Sequence, residues 1–109
     1  MGDPACWLHL FDHPDMTTTL ASDLDAFLSL HDRRIHEELF DFLRIPSVSA
    51  RSEHNRDTAR AAEWVAAAMR SAGLTAEIIP TVGHPVVLGE WRKAGAGAPT
   101  VLVYGHYDV

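Results

Sequence analysis

Cysteine is almost absent. Cys6 is the only one in 109 residues, so no internal disulfide can form and no cysteine-based zinc site can be built. That usage fits a reducing compartment. Basic residues are also scarce, with 9 Lys and Arg against 15 Asp and Glu and a net charge of -6. They are scattered from Arg33 to Lys93 and form no stripe beside aromatics, which argues against a nucleic-acid partner. No apolar run approaches the length of a membrane span. Met1 to Phe11 contains Asp3 and Pro4 but no basic residue, so it lacks the charged start of a secretory signal. There are no repeats and no low-complexity tract. The expectation is a soluble, cytoplasmic chain with no membrane partner. Its length suffices for one small domain, and a 47% hydrophobic, 22% charged composition is that of a globular protein, not a disordered one.

Residues 1–19 mix Pro4, Pro14, Trp7 and His13 without a helical or alternating period. They are expected to form a disordered tail without a part in the fold; the alternative is a short docking segment using Trp7, Leu8 and Phe11. Met16 could be an internal start. Residues 20–109 read as the folded portion. Ser22 and Asp25 match a helix-start pattern, and Leu24, Leu28, Ile35, Leu39 and Phe42 recur at three- and four-residue steps, one stripe of an amphipathic helix. Pro46 disfavours helix at Ile45, so this helix should stop near Arg44. A serine-rich loop follows to Asn55. A second helix is expected over residues 57–72, with Ala62, Val65, Ala66 and Met69 buried and Gly73 as its left-handed stop, followed by Leu74 packing on Met69. Three strands then fit: 76–81, 86–91 after the Gly83-His84-Pro85 turn, and 100–104. The run Val101-Leu102-Val103-Tyr104 is continuously apolar, as in a strand covered on both faces. The fold class is therefore α/β, with two helices on about three strands and an incomplete sheet.

The residues that could carry chemistry lie at Gly105-His106-Tyr107-Asp108-Val109. They follow the apolar run directly, and in open α/β sheets ligands bind beyond the carboxyl ends of strands. His106 and Asp108 are two apart, so in extended backbone they project to one side. A neutral imidazole can give one nitrogen to a metal and donate its other N–H to a carboxylate, which fixes the tautomer. Alternatively, Asp108 reaches a different catalytic group, or His106 is a strand-end histidine satisfied by its neighbour. Ser47 and Ser49 read as loop hydroxyls, because no Gly-x-Ser-x-Gly elbow surrounds them. His84 reads as a turn residue, His31 and His36 as solvated helix residues, and Trp64 and Trp91 as packing residues.

The run from Pro99 to Val109 resembles the first metal-site motif of the zinc metallopeptidase family of acetylornithine deacetylase, succinyl-diaminopimelate desuccinylase and carnosine dipeptidase. Phe42 to Ser49, Ala61 to Val65, Ala72 to Leu74 and His84 to Glu90 are similar to the segments that precede it, in the same order. Tyr107 between His106 and Asp108, with Val86 to Glu90 upstream, looks closest to the dipeptidase branch. The resemblance implies that His106 is a ligand to one of two zinc ions (cobalt or manganese being alternatives). It implies that Asp108 is the carboxylate that positions the metal centre and its catalytic acid/base. It implies hydrolysis of a peptide or N-acyl amino acid by an enzyme that is a homodimer when complete. The family's bridging Asp, its paired Glu residues and its dimerisation domain would fall beyond Val109. The chain is thus expected to be an N-terminal portion, inactive alone; the alternative is a non-catalytic interaction module working through an exposed sheet edge.

Overall fold

The computed structural model describes residues 14–109, with side chains from residue 18 onward. Helix α1 spans Pro14–Leu43, a short 3-10 turn spans Ser52–His54, α2 spans Asn55–Ser71, and strands β1 and β2 span Thr75–Ile79 and Val86–Glu90. The class is α/β with a small, incomplete sheet, as expected. The docking alternative on Trp7, Leu8 and Phe11, Cys6, and residues 1–13 of the tail expected over 1–19 lie outside the described residues, while residues 14–19 of that tail are helical, within α1. No helix among the described residues is long and apolar enough to cross a membrane. The chain divides into two compact units, Met1–Glu38 and Leu39–Val109.

In the first unit, α1 is already helical at Pro14, the first described residue, so the helix does not begin at Ser22. The helix-start pattern at Ser22 is overridden because the apolar spacing continues upstream through Leu20. Arg33 donates to Glu37 at 2.9 Å and Arg34 to Glu38 at 3.0 Å. Such exposed pairs are worth about 0.2–0.5 kcal/mol each. Leu24, Phe27 and Leu28 on the apolar stripe are exposed.

In the second unit, Arg44 N–H still reaches Phe40 O at 3.0 Å before Pro46 ends the helical run. Phe42 packs against Trp64 of α2 with ring centroids 4.8 Å apart. On α2 the buried residues are Thr58, Ala61, Ala62 and Ala66. The buried face thus lies one turn nearer the N-terminus than expected, with Val65 and Met69 half-buried. Small side chains let α2 sit close on the sheet. Its end is as predicted: Gly73 has φ 87°, Leu74 N–H bonds Met69 O at 3.0 Å, and Gly73 N–H bonds Arg70 O at 2.9 Å. These are the paired bonds of a helix closed by a left-handed glycine.

β1 and β2 pair antiparallel, with Ala76 opposite Gly89 and Ile78 opposite Val87. These four residues share the partly covered face, where the strands pack on α2. Gly89 is small for a reason: a Cβ there would lie 2.6 Å from Met69 Sδ and 3.4 Å from Leu74 Cδ2. The hairpin loop is braced by Thr81, whose Oγ1 accepts from Gly83 N–H at 3.0 Å and donates to His84 O at 2.7 Å.

The third expected strand is a correction. Thr100 to Tyr104 is not a strand, and Val101, Leu102, Val103 and Tyr104 are 80–88% exposed. An apolar, β-favouring run encodes a preference for burial but not the neighbour that must supply the ladder bonds. Among the described residues the sheet holds only β1 and β2, and neither pairs with this run.

Candidate functional site

The site is built where Tyr107 to Val109 dock on the loop after α1. Val109 N–H donates to Ser47 O at 3.0 Å. Ser47 Oγ donates to Tyr107 O at 3.2 Å, so the serine hydroxyl does for residue 107 what its carbonyl does for 109. Ser47 is only 2% exposed, and this pairing satisfies its hydroxyl. The local backbone is tightly turned, with Ser47 N–H bonded to Ile45 O and Val48 N–H to Pro46 O, both at 2.8 Å. That geometry follows from Pro46, which holds its predecessor out of the helix.

One residue on, Ser49 Oγ donates to Asp108 Oδ2 at 2.5 Å. The other oxygen, Oδ1, lies 3.2 Å from His106 Nδ1. A carboxylate only accepts, so the neutral His106 ring carries its proton on Nδ1. Nε2 is then the bare nitrogen, and Tyr104 O–H lies 3.2 Å from it, with the two rings edge to face at 5.4 Å. The His106 side chain is 71% exposed and that of Asp108 30%. The Ser49 hydroxyl bond, with a smaller contribution from His106, holds the Asp108 carboxyl below the usual carboxylate range, against a partial opposing effect of burial. Burial, then the Asp108 charge, pushes the Tyr107 phenol up.

Two further anchors come from the hairpin turn. His84 Nε2 donates to Ser49 O at 2.9 Å, and Tyr107 O–H donates to Pro85 O. Ser49, Thr58, His84, Pro85, Tyr107 and Asp108 together line a cavity of about 200 Å³. His54 and Asp57 form a separate pair, 3.0 Å apart, at the start of α2.

The structure therefore brings His106 and Asp108 together in the ring-to-carboxylate arrangement, one of the alternatives their spacing permits. Ser47, Ser49 and His84, read as bland loop and turn residues, are the groups that hold them. What Ser47 and Ser49 would meet, nearly sixty residues away, was not legible.

One imidazole and one carboxylate are a partial donor set for a metal. Catalytic zinc takes three protein ligands and a water, and among the described residues no three His, Cys, Asp or Glu side chains converge on one point. A bare Nε2 on a ring whose Nδ1–H is held by a carboxylate does fit one arm of such a centre.

The chain is 33% identical over 89 residues to a cysteinylglycine-S-conjugate dipeptidase of Corynebacterium striatum. The match covers 82% of this chain but spans only 20% of that enzyme's length. No family model matches the chain, and no solved structure does.

Proposed function

We propose that this chain is the opening portion of a metal-dependent peptidase of the acetylornithine deacetylase and carnosine dipeptidase family, acting on a dipeptide or, as the wider family would, on an N-acyl amino acid. The observation that carries the reading is the His106–Asp108 pair, with Nδ1 held at 3.2 Å and Nε2 left as the donor atom. The likeness to a dipeptidase supports the peptidase side of it. His106 would hold one of two divalent ions through Nε2. Zinc is the proposed metal, with cobalt or manganese as substitutes. When bound, such an ion supplies polarisation of the scissile carbonyl and a water of lowered pKa. Asp108 keeps the Nδ1 proton in place, which makes the ring a fixed and more basic ligand. The general base and the remaining ligands are not among residues 1–109 in this reading. The complete enzyme is proposed to be a cytoplasmic homodimer.

The test is a pair of substitutions in a chain continued through the remaining ligands. His106→Ala removes a direct metal bond and should abolish hydrolysis and lower metal content. Asp108→Asn acts one step out and should mainly lower turnover, by about 10–100-fold. Metal analysis and steady-state rates decide; full activity in His106→Ala ends the ligand assignment.

The exposed run Val101 to Tyr104 favours a second reading. In it the chain is an interaction module whose open apolar segment pairs with another chain. An absence of zinc uptake through His106 would support that reading over the peptidase.

A further inference from the structure

Four residues of the site are linked in a chain whose donors converge on the Asp108 carboxylate. His84 Nε2–H holds the carbonyl of Ser49 at 2.9 Å. The Ser49 hydroxyl holds Oδ2 of Asp108 at 2.5 Å. Oδ1 of Asp108 holds Nδ1–H of His106 at 3.2 Å. Each acceptor has a fixed donor behind it, so the imidazole of a well-exposed histidine is oriented from the hairpin turn and the loop after α1. A carboxylate two residues along an extended segment does not by itself choose one rotamer; its two oxygens are equivalent until something distinguishes them. Here the distinguishing group is a hydroxyl 59 residues away in sequence. That hydroxyl has a further constraint, since Ser47 ties the neighbouring backbone to Tyr107 and Val109. The oxygen pair of Asp108 is therefore placed on a backbone already in register.

We infer that Ser49 is a positioning residue: its hydroxyl pins one oxygen of Asp108 so that the other fixes His106 as the Nδ1–H tautomer, leaving Nε2 unprotonated and facing the Tyr104 hydroxyl. This rests on the reading of His106 as a metal ligand but concerns a different residue and a different property. Ser49 touches neither the ring nor a metal. It acts on the carboxylate, and the carboxylate acts on the ring.

The tautomer is read in the metal-free 109-residue chain, with histidine labelled by nitrogen-15, from long-range proton–nitrogen correlations at a pH where the ring is neutral. His106→Ala assigns the signal. The expected result is the Nδ1–H form in the wild type and in Ser49→Thr, which keeps the hydroxyl, and a shift toward Nε2–H in Ser49→Ala. A zinc titration should then show binding weakened about tenfold in Ser49→Ala, the lower end of what indirect partners of a ligand contribute. An unchanged tautomer in Ser49→Ala overturns the inference. So does loss of the β1–β2 amide pattern in Ser49→Ala, because it would make the serine a support of the fold instead. The metal reading fails separately, if His106→Ala and the wild type bind zinc equally, and that outcome leaves the tautomer result standing on its own.

Discussion

Replacing Gly89 with alanine tests the packing of α2 on the hairpin through its coupling to Met69. The added Cβ would lie 2.6 Å from Met69 Sδ, whereas comfortable heavy-atom contacts are about 3.5–4.0 Å. Met69 must therefore shift by roughly 1 Å. Overpacking of this kind costs about 1–3 kcal/mol. The low end applies, because a half-buried methionine has several rotatable bonds to move. Gly89 does not have a positive φ, so alanine fits the backbone and stiffens the unfolded chain, an opposing gain of about 0.4–1 kcal/mol. The single mutant should be destabilised by about 1 kcal/mol or less. In a Met69→Ala background the clash is gone and only the gain remains, so Gly89→Ala should there be neutral or stabilising. The coupling between the two sites is then about 1 kcal/mol, above the roughly 0.5 kcal/mol scatter of independent positions. Urea denaturation of the four proteins, followed by far-ultraviolet circular dichroism, measures it. Additive effects, or a Gly89→Ala chain more stable than wild type with Met69 present, would show that Met69 does not rest on Gly89.

Gly73→Ala should cost about 1–2 kcal/mol, since its φ of 87° is strained for an L-residue even though the space beside it is open; Gly73→Asn should cost less, and denaturant midpoints check both. The 109-residue chain alone should bind zinc weakly and hydrolyse no dipeptide, because His106 is the one ligand assigned; chelator-sensitive hydrolysis by the purified chain would contradict that. Placing a charge in the exposed run, as in Val103→Lys, should reduce self-association of residues 20–109 in size-exclusion chromatography, and an oligomer that persists unchanged would assign association to another surface.

Much of the second unit was legible because its signals are local. Pro46 stops α1, Gly73 closes α2, and the Gly83-His84-Pro85 turn sets off the two runs that form β1 and β2. The start of α1 was not legible, since a start pattern at Ser22 says nothing about whether helix already precedes it. The run 100–104 misled for a different reason: its apolar character reports how it would behave if covered, and no described strand covers it. At the site, the spacing of His106 and Asp108 was visible, and the ring-to-carboxylate arrangement was one of its alternatives. The contribution of Ser47, Ser49 and His84 depends on long-range contacts that no window of sequence contains.

The docking of Tyr107 and Asp108 on Ser47 and Ser49 joins groups 60 and 59 residues apart. Closing so long a loop in an unfolded chain carries an entropic cost that grows with the logarithm of its length. Most of that loop, however, is α2 and the β1–β2 hairpin, elements made of near-neighbour contacts that form early. Once they are in place, the turn at His84 already stands beside the loop at Ser49, and only a short stretch of chain is left to arrive. By connectivity, the contacts that depend on the helix and hairpin are those of Ser47 and Ser49 with Tyr107 and Asp108. A chain whose α2 or hairpin has failed cannot hold Ser49 against Asp108, so an oriented imidazole belongs to the folded molecule alone.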